Sequence, residues 1–491
     1  MNIDEAIEAF IGPIADFLSS IIFFSVPVGG TQLPLIVGWL VIAGVFFTVY
    51  MRFMSFRGMK HAFDLVAGKY DRPHADGEVT HFQALSTALS NTLGLGNIAG
   101  VAIAITLGGP GAAFWMVVAG MFAMATKMVE CTLGVKYRTV REDGTISGGP
   151  MYYLKRGLAE LGKPRLGGFL SIGYAIAMTV AMVGLMTFQA NQAAAQVVNV
   201  TTGGVHDFLD GNRWVVGVFM AGAGALVIFG GVKKIAKAAS IMIPFMSATY
   251  IIGCIAVIAT NVVDLPAAIA AIVGGAFSPE GVAGGTLGAL IVGFQRAAFS
   301  NSAGVGDAPI AHSAVRTDRP PTEGFVASIE PFFDTICVNV LSALAIVITG
   351  VYQLDGLDGV ALTSMAFSTV AQWFTYVLAV AVFLFAFSAI LAYSYFGAKS
   401  LGFLMGDKDW AENLYKVIVL LFVVIGSAAS LGAVVSLADS LLFSMAVFNI
   451  TGLYFLAPVM RRDFMDYWHR LKAGEFEADR TDRRKPKTPV G

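Results

Sequence analysis

Eleven stretches of about 20 mostly apolar residues run through the chain, each long enough to cross a hydrocarbon layer ~30 Å thick as a helix. They fall at roughly 33–53, 82–108, 111–135, 168–199, 214–231, 235–260, 285–313, 327–350, 367–396, 413–430 and 434–460. In lipid, a segment of this length satisfies its backbone polar groups within itself. The sequence therefore predicts an all-α integral membrane protein with 11 transmembrane helices. Residues 11–28 and 266–277 are also apolar, but short and interrupted by Pro or Gly, and read as interfacial helices or lids. The 13% charged fraction agrees, since soluble domains carry about 25%.

Charge placement orients these spans. All but three of the 32 Lys and Arg lie near connections after the odd-numbered spans or in the C-terminal tail; the exceptions are Arg213, Lys127 and Arg296. Basic residues collect on the cytoplasmic side, so the N-terminus is expected outside and the C-terminus inside, in a multi-pass protein of the plasma membrane. The N-terminal "MNIDEAIEAFIGPIADF" has no Lys or Arg and reads as retained rather than as a signal peptide. The tail from Arg461 reads as solvated, with some attraction for anionic lipid. A net charge of −1 argues against nucleic acid as a partner, leaving the lipid bilayer. Cys131, Cys254 and Cys337 are far apart in apolar runs and suggest neither disulfide nor zinc.

Two spans are broken alike. "SNTLGLGN" at 90–97 recurs as "SNSAGVGD" at 300–307, the pattern S-N-[ST]-x-G-x-G-[ND] displaced by 210 residues. Setting the first span aside, the other ten divide into two groups of five with a break in the first member of each. Five is odd, so the groups have opposite topology. The expected layout is an extracellular N-terminus (1–32), a leading span and loop (33–81), a first repeat (82–260), an extracellular connection (261–284), a second repeat (285–460) and a cytoplasmic tail (461–491). Inverted repeats with matching interrupted helices point to a secondary transporter whose site lies near mid-membrane. Each break exposes free carbonyls on one side and free amides on the other. Together they suit a zwitterionic amino acid and a small cation: carboxylate on the amides near Leu95 and Gly96, ammonium on the carbonyls near Phe299 and Ser300. Taken alone, either glycine run would also suit close helix packing.

Several ionisable residues have plainer readings. Asp307 suits an N-cap before Pro309, or serves as a coupling carboxylate inside the membrane. Lys127 and Glu130 are spaced for a local ion pair, Glu330 and Asp334 for a satisfied polar contact with a cation pathway as the other reading, and His312 for capping or packing with a proton relay as the other reading. Arg296 is expected to snorkel, with an extracellular gate as the other reading.

The stretches "SNTLGLGNIAGVAIAITLGGPGAAFWM", "GFQRAAFSNSAGVGDAPIAHSAV", "VECTLGVKYR", "SGGPMYYL", "FQANQAAA", "FFDT" and "FLFAFSAILAYSYFG" resemble the alanine or glycine:cation symporter family over roughly residues 80–400. That resemblance implies a LeuT-type five-plus-five core with two unwound helices, uptake of a small neutral amino acid such as alanine or glycine, and sodium as the coupling ion, with no other cofactor. By its pattern Gly94, Leu95, Gly96, Asn97 and Gly100 form the first unwound segment, and Phe299 to Gly306 the second. Substrate-binding positions are Gly94, Leu95, Gly96, Gln189, Phe299, Ser300, Ser302 and Gly304. One sodium falls to Ser90, Leu93 and Ser388, and a second to Asn97, Ser300 and the Thr92 carbonyl. The family commonly reads "GTGNIAGV", "SNEAGxGSAP" and "FAFST", where this chain has Leu95, Ser302, Asp307 and Ala389. Asp307 leaves a proton-coupled alternative, and Gly-rich breaks also occur in ion channels. The spans hold no nucleophile and base pair, HExxH or carboxylate cluster for an enzyme, and no GxxxxGK[ST] for an ATP-driven pump. "GLGN" is shared with neurotransmitter-type sodium symporters.

Overall fold

The computed structural model describes residues 3–28, 31–72, 75–141, 144–202, 204–278, 285–354 and 356–476. Among them are eight helices long and apolar enough to cross a membrane, or nine if the bent pair Gly204–Asp210 and Trp214–Ile228 is one span. Two expected spans are shorter as helices: Leu35–Tyr50 has 16 residues, and Gly285–Asn301 has 17 before the chain breaks. The only strands among the described residues form two hairpins, Ser25–Val28 with Thr31–Pro34 and Thr139–Val140 with Ile146–Ser147.

Small residues set how closely these helices pack. A Cβ added to Gly111 would lie 2.2 Å from the Gly275 backbone, which seats the Leu265–Phe277 helix flat against Pro110–Lys136; Trp115 Nε1 fixes it by donating to Ala276 O at 3.1 Å. At Gly426 an added Cβ would meet Thr187 Cα at 2.5 Å, so Asp409–Ala428 and Pro164–Val200 touch backbone to side chain. Close approach of this kind replaces the hydrophobic drive that lipid does not supply.

The broken helices lie antiparallel, side by side. His81–Thr92 packs beside Ala308–Ser313, and Leu95–Gly108 beside Gly285–Asn301, where a Cβ at Gly108 would meet Val292 Cβ at 3.0 Å. Their outer ends are tied by backbone: Glu78 N donates to Ala314 O at 2.7 Å and Arg316 N to Val79 O at 2.9 Å.

Basic loops gather at that same end. Arg138 donates to the carbonyls of Asp76, Val315 and Thr317, Arg72 pairs with Asp318, Lys136 with Asp463, and Arg141 with Asp407 at 2.8 Å. A cavity of about 310 Å³ lined by Glu78, Arg141, Lys233, Lys399 and Glu412 opens there. On this face burial and the Asp407 carboxylate raise the Tyr152 phenol above its ordinary value, so it stays a neutral donor to Asp407.

The last helix differs from the expected solvated tail. Leu431–Lys472 runs unbroken past Arg461, because Phe464 and Tyr467 pack on Phe325; of the tail, 477–491 lie outside the described residues.

Candidate functional site

The first break is narrow. The His81–Thr92 helix ends at Thr92, Leu93 and Gly94 carry non-helical ψ values, and the helix resumes at Leu95. Leu95, Gly96, Asn97 and Gly100 are therefore helical rather than unwound, because Asn97 N finds Gly94 O at 3.1 Å as soon as the turn closes. What they supply is a helix start, whose first amides have no partner within the helix.

The second break is wider, from Ser302 to Asp307. Ser302, Gly304 and Gly306 adopt positive φ of 52°, 87° and 88°, a conformation glycine tolerates and serine does not favour. Ala303 N is held by Asn301 Oδ1 at 2.9 Å, and the Gly304 carbonyl accepts from Asn449 Nδ2 at 2.9 Å. Asp307 caps the short helix beyond, accepting from Ala308 N at 2.7 Å.

The two breaks meet. A Cβ on Gly96 would lie 3.2 Å from Ser300 Cα, Ser300 Oγ donates to Asn97 Oδ1, and Asn91 Nδ2 donates to Asp307 Oδ2. A Cβ added to Gly94 would lie 3.6 Å from the Gln189 amide, whose Oε1 is buried without a hydrogen-bond partner. Phe188 stands edge-on to Phe299 at 5.3 Å between ring centres. Leu95, Phe299 and Ser300 are all buried.

Of the proposed sodium ligands, the structure brings Asn97 and Ser300 together and adds three oxygen-bearing neighbours. Asn339 Nδ2 lies 3.5 Å from Ser300 Oγ, Asn97 Nδ2 donates to the Asp334 carbonyl at 3.2 Å, and Thr335 Oγ1 donates to Asp334 Oδ1 at 2.6 Å. Asp334 Oδ2 and Asn339 Oδ1 are buried without partners, leaving two oxygens for a hard cation. The other set, the backbone at Ser90 and Leu93 with Ser388, lies on the His81–Thr92 segment, capped by Leu93, and on the Phe374–Leu404 helix, which pack against each other. Ser388 donates to Phe385 O within its own helix and lies 4.0 Å from Met246 Sδ, while Ser90 donates to Thr87 O. The Leu93 amide bonds Leu89 O, and the Thr92 carbonyl accepts from Gly94 N.

Three plain readings are corrected. Lys127 pairs not with Glu130 but with Glu330 at 3.0 Å and Asp307 at 3.5 Å, while Glu130 accepts from Asn449 at 2.5 Å. Acids packed in from other helices compete for the ammonium against a neighbour on the same helix. Arg296 does not snorkel: it is 3% exposed, pairs with Asp439 and lies 5.4 Å over the Phe299 ring. His312 is neither cap nor filler but bridges Glu323 at 2.6 Å and Glu330 at 2.9 Å. Asp439, Asn339, Asn449 and Glu323 were not singled out from sequence, although a polar residue inside an apolar run is itself a signal.

Two broken helices meeting at mid-length inside a helical membrane protein define the make-up of a transporter. The comparisons agree. The model of the sodium:alanine symporter family matches residues 21–481, and the chain belongs to that family. It is 37% identical over 421 residues to the sodium/alanine symporter AgcS of Methanococcus maripaludis, covering 85% of this chain and 90% of that one. It is 34% identical over 433 residues to the amino-acid carrier protein AlsT of Bacillus subtilis, covering 88% and 89%. A solved Na+-coupled sialic acid symporter in a substrate-bound outward-open state shares the fold, with TM-score 0.53 over 84% of this chain and 87% of that one at 11% identity. By family the chain is a multi-pass sodium-coupled symporter rather than an enzyme.

Proposed function

We propose that this protein carries a small neutral amino acid, such as alanine or glycine, into the cell together with sodium by alternating access. The observation that carries the reading is the meeting of the breaks at Gly96 and Ser300, which points helix-start amides and helix-end carbonyls into one buried volume. The substrate carboxylate sits on the amides at Leu95 and Gly96, its ammonium on the carbonyls near Phe299 and Ser300, and Gln189 offers its free oxygen beside Gly94. Ser302 and Gly304 shape the second break, and Leu95 in place of a hydroxyl residue favours an apolar side chain.

Sodium binds among Asn97, Ser300, the Thr92 carbonyl, Asp334 and Asn339, where a carboxylate and neutral oxygens match a hard cation. A second sodium binds between the backbone oxygens at Ser90 and Leu93 and the Ser388 hydroxyl of the Phe374–Leu404 helix. The membrane layout is eleven spans, a leading helix plus two inverted groups of five, with the N-terminus outside and the basic loops and C-terminus in the cytoplasm. The relatives named as sodium/alanine symporter and amino-acid carrier support this substrate class.

The test is uptake of radiolabelled alanine into proteoliposomes under separately imposed sodium and proton gradients, with Asp307→Asn alongside. Accumulation driven by sodium alone is expected. Accumulation driven only by protons and lost in Asp307→Asn would replace sodium with the proton as coupling ion, and a downhill flux with no accumulation would indicate a channel.

A further inference from the structure

The cavity of about 310 Å³ on the basic-loop face is walled by charges of both signs, and most of them are matched within the protein. Arg141 pairs with Asp407 at 2.8 Å and with Glu412 at 3.5 Å, and Lys399 pairs with the same Glu412 at 3.1 Å. Glu78 accepts from the Ile146 amide at 2.8 Å. Two lysines of the wall remain. Among the described residues neither Lys233 nor Lys416 forms an ion pair, and Lys416 donates to the neutral Asn413 at 3.0 Å. Asp409, the other acid of the wall, sits in the first turn of Asp409–Ala428, where helix-start amides offset its charge. The cavity therefore holds unmatched positive charge.

The rim of the cavity is apolar. The Trp214–Ile228 helix ends there in the turn Phe229, Gly230 and Gly231, and Asp409–Ala428 packs along it. Lys416 lies 5.8 Å over the Phe229 ring. Leu226 and Phe229 at the end of the first helix, and Leu414, Val417 and Leu421 on the second, are exposed, with Trp410 next to Asp409 of the wall. Tryptophan suits the membrane interface, and lysine lays its stem on apolar surface while its ammonium stays in polar surroundings. Free ammoniums, an interfacial aromatic ring and an apolar strip beside them match a molecule with an anionic head and hydrocarbon chains.

We propose that this cavity binds the headgroup of an anionic phospholipid from the leaflet that the basic loops face, with the phosphate between Lys233 and Lys416 and the acyl chains along Leu226, Phe229, Val417 and Leu421. Basic pockets between membrane helices take such headgroups, and about 310 Å³ falls within the ~300–1,000 Å³ of small-ligand sites. The chemistry asks for a phosphodiester with an uncharged alcohol, as in phosphatidylglycerol. A choline headgroup brings a cation of its own toward two lysines and is disfavoured. A free phosphate ester meets the lysines but makes no use of the apolar strip, so the lipid is the occupant. It joins two helices that are not consecutive, since Lys233 belongs to Gly231–Thr260 and Lys416 to Asp409–Ala428. Gly231, at a φ of 73°, makes the turn into Gly231–Thr260, and that helix packs on His81–Thr92, which leads into the first break. A bound lipid braces this turn and stabilises the folded protein.

The test uses the full-length protein in a neutral detergent, titrated with phosphatidylglycerol, phosphatidylcholine or glycerol phosphate. Bound lipid is counted by native mass spectrometry, and thermal unfolding is followed alongside. Wild type is expected to retain phosphatidylglycerol at a saturable site in preference to phosphatidylcholine, and to melt at a higher temperature when it is bound. A lysine facing anionic lipid supplies about 5-fold in affinity, so Lys233→Gln and Lys416→Gln should each weaken phosphatidylglycerol binding about 5-fold and the double variant about 30-fold. Lys416→Arg, which keeps the charge, should bind like wild type. Lys163→Gln, on the same face but over the Phe455 ring rather than in the cavity, should also match wild type. Lys233 is exposed and Lys416 half-buried, and each single variant carries the test if the double variant fails to fold. Equal retention of the two lipids, or one phosphatidylglycerol affinity shared by wild type and the lysine variants, overturns the site. An equal loss in Lys163→Gln overturns it too, as an effect of surface charge in general. Displacement of the lipid by glycerol phosphate at a similar concentration makes the occupant a free phosphate ester and overturns the lipid assignment. None of these readouts involves amino-acid uptake, so failure here is separate from failure of the transport reading.

Discussion

Gly96 is where a single methyl group should separate folding from transport. Its added Cβ would lie 3.2 Å from Ser300 Cα and 3.7 Å from Phe299 Cδ1, the tightest of these being a backbone atom at the second break. The neighbour must give way by a few tenths of an ångström, and overpacking of this kind costs about 1–3 kcal/mol. Ala in place of Gly in a helix returns about 1 kcal/mol. Net stability of Gly96→Ala should therefore fall by no more than about 2 kcal/mol. The contact with Ser300, however, belongs to the arrangement that brings both breaks to one site. A loss of about 1–3 kcal/mol there corresponds to roughly 5- to 150-fold weaker apparent affinity for amino acid. Gly100→Ala is the matched control, since its added Cβ would meet only Leu95 O at 3.8 Å. Sodium-driven uptake against substrate concentration, with thermal unfolding in detergent alongside, reads both quantities. Wild-type apparent affinity in Gly96→Ala, or an equal loss in Gly100→Ala, would refute the placement of the site between Gly96 and Ser300.

Removing sodium should weaken amino-acid binding by roughly 5- to 150-fold, measured by scintillation proximity with and without sodium, because each ligand steadies the same broken backbone. Asp334→Asn should raise the sodium concentration needed for half-maximal uptake and leave thermal stability near wild type, since Asn keeps the bond from Thr335 but removes the charge. Arg296→Gln leaves Asp439 buried without its ion pair and should cost about 3–5 kcal/mol in thermal unfolding, with much of it restored in Arg296→Gln/Asp439→Asn. Gly306→Ala should fold poorly: its φ is +88°, and an added Cβ would meet Pro150 Cγ at 2.7 Å and Asn449 Nδ2 at 2.9 Å, both from packed helices. Reduced yield and monodispersity on size-exclusion chromatography would check it.

The sequence by itself determined the class. Apolar runs of about 20 residues leave a lipid-embedded chain little choice but helices, and the repeat of S-N-[ST]-x-G-x-G-[ND] at 90 and 300 located both breaks, with Gly94, Ser302, Gly304 and Gly306 close to where the backbone turns. These are local properties: hydropathy acts on each segment and glycine on its own φ. Tertiary structure decided the rest. How far each break extends depended on neighbours, so Leu95 to Gly100 stayed helical while Asn449 and Asn301 held the second break open over six residues. Partner choice was also tertiary. Glu130 stands one turn from Lys127, yet the ammonium went to Glu330 and Asp307, which are 203 and 180 positions away in sequence and meet it only after the helices pack. Electrostatic energy depends on distance in space and on local polarity, neither of which a linear pattern records, so Asp307, Glu330 and His312 could be singled out one by one in the sequence but not their pairing with Lys127 and Glu323.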